Sequence, residues 1–412
     1  MEHPRFQLPS FDASWRTRLV FGAGTLARLG ELAAEAGMRR VLLVTDAGIM
    51  AAGHGKRAVE VLGGAGMEVA LFDGVRENPT TLDVERCLAV AREARVDGMV
   101  GLGGGSSMDT AKGANFILTN GGEMKDYWGV GKATRPMLPM IAVPTTAGTG
   151  SECQSAALIA DEATHRKMAC LDPKAAARVA LLDPELTLSQ PRRVTAWTGV
   201  DALTHAVEAL VTRKGNALSG MHAREAFVLI AGNLGRVLRE PGDVGARAAM
   251  QLGAAHAGIA IELSMLGAAH AAANPLTARF GVVHGAAVGL MLPVVVRFNA
   301  ADPACARVYA GLAVAAGLAG PHLRVASAVE AFVDALEALM REAGIPATLG
   351  EAGVNPLMIP ELAADAAEQW TGRFNPRSVG APEFEGLYAA LAGDRQEGQG
   401  TEGCGEQMHS TS

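Results

Sequence analysis

Two stretches of this chain carry residue types that hold metal ions. GVDALTHAVEAL puts Asp201 and His205 four residues apart, one helical turn, so both side chains would leave the same helix face. GAAHAAANPLTARFGVVHG, residues 267–285, carries His270 and His284 among small apolar residues. One carboxylate and three imidazoles make a complete protein ligand set for one divalent metal. The set suits Fe(II) or Zn(II), accepts Co(II) or Ni(II), and argues against Ca(II) or Mg(II). With no fifth protein ligand a position stays open for a substrate oxygen, which is the catalytic design. Each piece also has a plainer reading. Asp-x-x-x-His on a helix is more often an ion pair or a cap, and His270 among alanines could be a satisfied core histidine. Glu208 shares the face of Asp201 and His205, either as a carboxylate behind a ligand or as a surface acid. Asn274-Pro275 is expected to interrupt the helix of His270, so the following loop would have to fold back to bring His284 alongside.

A second set of residues fits phosphate and ribose. Gly103, Gly104 and Gly105 end an apolar run and open a helical one through Ser106, Ser107 and Asp109. Glycines there let backbone amides approach a pyrophosphate, and a helix N-terminus favours its charge. The three are adjacent, so this is neither the spaced GxGxxG fingerprint nor a GK[ST] loop, and such turns often have only a packing reason. Asp46 ends the run RRVLLVTD, where a carboxylate can accept from a ribose 2′-OH and repel a 2′-phosphate. Capping a helix is its other use. Thr145, Thr146, Gly148, Thr149, Gly150 and Ser151 form a third polar end, and open α/β sheets bind ligands at the C-terminal ends of their strands. Three such ends favour a dinucleotide.

The elements that must position these residues change character along the chain. Up to about residue 190, short apolar runs alternate with helical periodicity: strands within 17–24, 39–46, 67–73, 96–117 (with a glycine turn and a helix), 137–152 (with a polar, glycine-bearing end) and 178–186. That alternation implies a parallel sheet covered on both faces. Residues 155–171 read instead as a hairpin turning near Glu162. After Pro191 the chain is alanine- and leucine-rich and helical to about residue 392. The expected division is therefore 1–190 for a nucleotide-binding α/β domain and 191–392 for a helical metal-binding domain. The polar, glycine-rich 393–412 reads as a disordered tail with an incidental Cys404.

Composition narrows the classes. A length of 412 residues is long for one core, and 49% apolar residues suffice for two. A net charge of −7 gives no reason to expect nucleic acid or an anionic membrane as partner. The N-terminus shows no charged lead before an apolar core, so no secretory signal is expected. The longest apolar run, Ala286 to Val296, contains Pro293 and is far shorter than the ~20 residues that cross a bilayer. Five cysteines without a CxxC pair fit reduced thiols in the cytoplasm.

Jointly, GGGSSMDTAK, PTTAGTGSE, GVDALTHAVEA and the His270…His284 segment with Pro275 and Gly285 resemble the iron-containing (group III) alcohol dehydrogenase family. The resemblance runs in order from about residue 17 to residue 391, and FDGVRENPT and LLDPELT fit it. It implies a Rossmann-like α/β dinucleotide-binding domain followed by an all-α domain, the dehydroquinate synthase-like architecture, with the active site in the cleft between them. It places the metal on Asp201, His205, His270 and His284. It puts NAD against Gly103, Gly104, Gly105, Ser106, Asp109, Thr145, Thr146 and Thr149, with Lys167 nearby. Members with an acidic residue at the Asp46 position generally prefer NAD to NADP. A homodimer or larger homo-oligomer is implied as well. One departure stands out. Many members carry a second histidine four residues after the third ligand, credited with relaying a proton or shaping the pocket. Here that residue is Asn274, which cannot titrate, so a relay beside His270 must use water, the nicotinamide ribose or another group.

The implied reaction is reversible oxidation of a primary or small secondary alcohol to its aldehyde or ketone, with hydride passing to NAD. Two alternatives share the fold: a hydroxyacid–oxoacid transhydrogenase that retains its NAD and, more distantly, dehydroquinate synthase. A catalytically inactive scaffold is the alternative of another class, and the four intact ligand types speak against it.

Overall fold

The computed structural model describes residues 10–164 and 166–393. Cys404 and the tail from 394 onward lie outside them. In chain order the first elements are β1 (Arg18–Phe21), α1 (Leu29–Glu35), β2 (Arg40–Val44), α2 (Ala47–Ala51), α3 (His54–Gly64) and β3 (Glu68–Phe72). Then come α4 (Thr81–Glu93), β4 (Gly98–Gly103), α5 (Gly105–Asn120), β5 (Gly129–Val130) and β6 (Met140–Pro144). The hairpin β7 (Ala156–Ala160) and β8 (Lys167–Leu171) precedes β9 (Val179–Leu182).

Six strands form one sheet in the order β1-β9-β6-β4-β2-β3, and every pairing is parallel. The apolar runs are near-continuous because both faces are covered. Leu42, Val44 and Met99 enter one core while Val41, Leu43 and Val100 enter the other. Strand order reverses at β2, with β3 on one side of it and β4 on the other. The crevice above such a reversal is where open α/β sheets take ligands. Asp46 follows β2 and Gly103 ends β4, so both stand at that crevice. The hairpin forms a separate three-stranded sheet, in which β5 adds in parallel to β8. A two-residue strand carries no periodicity, so β5 is not readable in the sequence.

Beyond β9 the described residues form no further strand. Helices α6 (Arg192–Val211), α7 (Ala217–Arg239), α8 (Val244–Glu262), α9 (Ala268–Phe280) and α10 (His284–Ala300) come first. They are followed by α11 (Pro303–Ala315), α12 (Val325–Glu342), α13 (Ile359–Ala367) and α14 (Ala381–Ala389) around one large core. Small residues let these helices approach closely. A Cβ on Gly285 would stand 2.1 Å from the Trp197 carbonyl oxygen, so α10 crosses α6 backbone to backbone.

The expected break at Asn274-Pro275 is corrected: α9 runs through Pro275 to Phe280. Pro275 has no N–H to offer the Ala271 carbonyl, yet packing holds the helix together. Residues from Ala268 to Ala273 are buried, and the Tyr388 hydroxyl donates to the Ala272 carbonyl at 2.6 Å. Pro293 likewise sits inside α10. No helix among the described residues is long and apolar enough to cross a membrane.

Helix α8 joins the two parts of the chain. The Gln251 amide donates to the Pro144 carbonyl at 3.0 Å, and Glu262 accepts from the Ser155 N–H and hydroxyl at 3.0 and 2.6 Å. Between them Gly150 and Gly258 touch backbone to backbone, since a Cβ on Gly258 would stand 2.4 Å from the Gly150 oxygen.

Candidate active site

Three helices bring the four expected metal ligands together. Asp201 and His205 leave one face of α6, His270 comes from the first turn of α9, and His284 is the first residue of α10. Asp201 Oδ1 lies 3.3 Å from His205 Nε2, 3.4 Å from His270 Nε2 and 3.7 Å from His284 Nε2. The turn after Phe280 therefore folds back, leaving the His270 and His284 rings 5.4 Å apart. Asp201, His205 and His270 are buried, whereas the His284 side chain is 30% exposed, so the cluster opens on its His284 side.

Glu208 turns out to be the carboxylate behind a ligand. One oxygen accepts from the Ala269 N–H and the other meets His270 Nδ1, both at 2.6 Å. With Nδ1–H donating to Glu208, the Nε2 of His270 is left to face Asp201. Such outer carboxylates fix the ring orientation and raise ligand basicity. Gly267 makes room for the contact, because a Cβ there would stand 3.0 Å from Glu208 Oε1.

The electrostatics follow from this arrangement. Burial alone would raise Asp201, but the facing His205, His270 and His284 outweigh it and hold the carboxyl well below its usual range. Burial lowers His205 to about 4 and His284 to about 3, against the pull of Asp201. For His270 burial also lowers, yet Glu208 and Asp201 prevail and raise it to about 9. A cation placed in the cluster would compensate the buried carboxylates that raise His270. Among the described residues, Asp201 Oδ1 and His270 Nε2 are buried with no hydrogen-bond partner. Unpaired atoms of this kind cost about 1–3 kcal/mol each, and a metal placed among them satisfies both. The donor set fits Fe(II) or Zn(II).

The nucleotide-side residues gather at the crevice of the sheet. Gly104 precedes α5 as an N-cap with no side-chain cap, which leaves the first amides of that helix free. Gly104 and Gly105 face the 145–151 loop: a Cβ on Gly104 would lie 3.5 Å from Thr146, and one on Gly105 2.9 Å from Thr149. The Thr145 N–H donates to the Gly103 carbonyl at 2.9 Å, tying the two strand ends together. Gly103 has a φ of 148°, and a Cβ on it would stand 3.4 Å from Asp46 Oδ2. Asp46 caps α2 through the Ile49 N–H at 3.0 Å, and its carboxylate remains half-buried beside the glycine turn. Ser106 is half-buried on the first turn of α5. Solvent reaches Lys167 on β8, although crowding by the protein lowers its pKa against the pull of Asp109 and Asp201.

Asp109 takes a different place from the other cofactor residues. Its carboxylate accepts from the Ser151 hydroxyl at 2.7 Å and from the Leu158 N–H at 3.2 Å, so the protein itself engages both oxygens. Lys112, which residue spacing did not single out, completes this arrangement. It is fully buried, and its Nζ lies within 3.0 Å of the Ser151, Gln154 and Ala156 carbonyls and the Ser151 hydroxyl. The available signal was a lysine three residues after Asp109 on the same helical segment. Asn274, one turn after His270, donates to the Gln369 side chain at 3.0 Å.

Nucleotide and metal ends adjoin. A Cβ on Gly148, in the loop after β6, would stand 2.5 Å from Thr198 on α6, the turn before Asp201. The comparisons agree with this layout. Residues 16–184 match the family model described as iron-containing alcohol dehydrogenase, and residues 195–392 match the C-terminal model of the same family. The chain is 34% identical to the NAD-dependent methanol dehydrogenase of Bacillus methanolicus, over 87% of this chain and 93% of that protein. It is 34% identical to the 1,3-propanediol dehydrogenase of Klebsiella pneumoniae, over 89% and 95%. A crystal structure of 1,3-propanediol oxidoreductase superposes with a TM-score of 0.90 at 33% identity, covering 93% of this chain and all of that one. Sulfoacetaldehyde reductase from Bifidobacterium kashiwanohense in complex with NAD+ gives 0.84 at 28% identity, covering 93% and 99%.

Proposed function

Because this chain belongs to the iron-containing alcohol dehydrogenase family, we propose the following division of labour among its residues. The protein is an NAD-dependent, metal-dependent alcohol dehydrogenase, interconverting an alcohol with its aldehyde or ketone by hydride transfer. Iron is the metal of the family, and the ligand set also accepts zinc. Asp201, His205, His270 and His284 hold the metal. The observation that carries this is the convergence of three imidazole nitrogens on one partnerless carboxylate oxygen. When bound, the metal supplies Lewis acidity toward the substrate oxygen and NAD exchanges the hydride.

The protein's own contribution is placement. Glu208 accepts the hydrogen bond of the His270 Nδ1–H and so presents Nε2 to the cluster. The free amides of α5, with Gly103, Gly104, Gly105 and Ser106, cradle the pyrophosphate, and Thr145, Thr146 and Thr149 line the facing loop. Asp46 accepts from the adenosine ribose and disfavours a 2′-phosphate, which makes NAD rather than NADP the cofactor. Lys167 extends toward the cleft, between Asp109 and Asp201. Asn274 cannot accept a proton, so the alcohol proton leaves through solvent on the exposed His284 side. The substrate is a small-molecule alcohol, and methanol and 1,3-propanediol in the names of relatives point to short ones. A homodimer or larger homo-oligomer in the cytoplasm completes the proposal. The four described cysteines are all free and buried, which is compatible with a reducing compartment.

The test is an anaerobic assay of NADH and NADPH oxidation across short aldehydes. Protein reconstituted separately with Fe(II) and Zn(II) is compared with a His270→Ala control. Metal-dependent NADH oxidation lost in the control is expected. Silence with every aldehyde, in protein shown to bind both metal and NAD, would overturn the proposed substrate class.

A further inference from the structure

A second pair of histidines lies apart from the active site. His222 on α7 and His256 on α8 face each other across two antiparallel helices, with Nδ1 to Nδ1 at 2.8 Å. Their rings are stacked, with centroids 5.1 Å apart and planes inclined by 30°. Gly253, one turn before His256, brings the helices close, because a Cβ there would stand 2.7 Å from Ile230. Neither helix carries a residue of the metal cluster or the nucleotide crevice. An N···N hydrogen bond needs one ring to donate and the other to offer its lone pair, so the pair shares a single proton. Burial lowers both rings, which keeps them neutral and able to ligate at ordinary pH.

Two imidazoles whose Nδ1 atoms point at one shared proton also point at the place of a metal ion. Ligands held at ~2.0–2.1 Å around a tetrahedral ion stand about 3.3 Å apart, so the pair need open by only about 0.5 Å. A third donor is at hand. Glu225 follows His222 by three residues, hence on the same helix face, and its charge already acts on His256. In this structure its carboxylate does not close on the pair, but it is exposed and free to change rotamer.

We propose that His222, His256 and Glu225 form an auxiliary site for a divalent ion of zinc type, which staples α7 to α8. Binding moves the Nδ1 proton to Nε2 of the same ring by way of solvent, so that both neutral imidazoles offer an Nδ1 lone pair with no net proton release, and water fills the remaining coordination position. Two nitrogens and one carboxylate suit zinc and disfavour calcium or magnesium. The site is independent of the catalytic metal, since the two share no ligand.

The experiment is calorimetric titration of the iron-loaded protein with Zn(II), with retained iron measured afterwards. One zinc equivalent is expected beyond the iron, with a rise of several degrees in unfolding temperature. His222→Gln and His256→Gln should each weaken that zinc at least tenfold. Both should retain the NADH activity and zinc-free unfolding temperature of the parent. Glu225→Gln, an exposed change that spares folding, should weaken it to a lesser degree. The proposal is overturned if iron-loaded protein takes up zinc only as it loses iron, or if the histidine variants bind zinc as the parent does.

Discussion

Two clusters of buried charge in this protein are built on opposite plans. In the Asp201 cluster, a carboxylate oxygen and two imidazole nitrogens are buried without partners. In the Lys112 cluster everything is matched. The ammonium has four acceptors within 3.0 Å, and the hydroxyl of the serine between it and Asp109 donates a hydrogen bond to that carboxylate. A buried polar group normally has its partners, so an incomplete cluster marks where a ligand belongs, whereas a complete one marks scaffolding. Both segments carry recognisable motifs, but only their hydrogen bonds tell the two uses apart.

The largest expected effect falls on the incomplete cluster. His270→Ala should lower kcat/KM roughly 10³-fold or more and abolish iron retention, read from the metal content of the purified protein. If turnover survived at parental level, the metal assignment would be wrong. The complete cluster should show the reverse pattern. Lys112→Met leaves three carbonyls and a hydroxyl without their donor and should cost about 3–5 kcal/mol of stability, read by urea unfolding, while surviving folded protein still binds iron.

Glu152, beside Ser151 but outside that hydrogen-bonded set, sharpens the contrast. Burial pushes its carboxyl up to about 7. A raised acid favours the fold while protonated, so its contribution is fully present below the ordinary carboxyl range and is lost as pH rises through 7. Glu152→Gln should remove that decline, leaving the variant more stable than the parent at pH 8 by up to about 3 kcal/mol. Parallel pH-stability curves for the two proteins would rule this out. Glu208→Gln keeps the shape but weakens the support of His270, and should lower iron affinity about 10–100-fold, measured against a competing chelator. The smallest change is Asp46→Ser, which should improve the kcat/KM for NADPH relative to NADH roughly tenfold, about 1.4 kcal/mol.

The four ligand types, the glycine turn and the alternation of strand and helix were all legible in the sequence, because each is a matter of residue type and spacing. The path of α9 was not. Proline predicts a break from local backbone chemistry, and the Tyr388 hydroxyl that reaches Ala272 comes from 116 residues away. Glu208 could be read as a candidate but not decided, since its role depends on where His270 lands. Lys112 was visible within its motif yet silent, because its four acceptors come from the loop and hairpin it holds. Contacts that close over long sequence separations leave no local pattern.

The crossing at Gly285 gives the metal cluster an unusual tolerance profile. His284 precedes this glycine, and the Trp197 carbonyl that a methyl group would strike lies one turn before Asp201. The separation of two ligand-bearing helices is thus gauged by main chain resting on main chain, with no rotamer in between. At position 285 a single methyl would push the cage apart, so the dimensions that select the ion are recorded in the absence of a side chain.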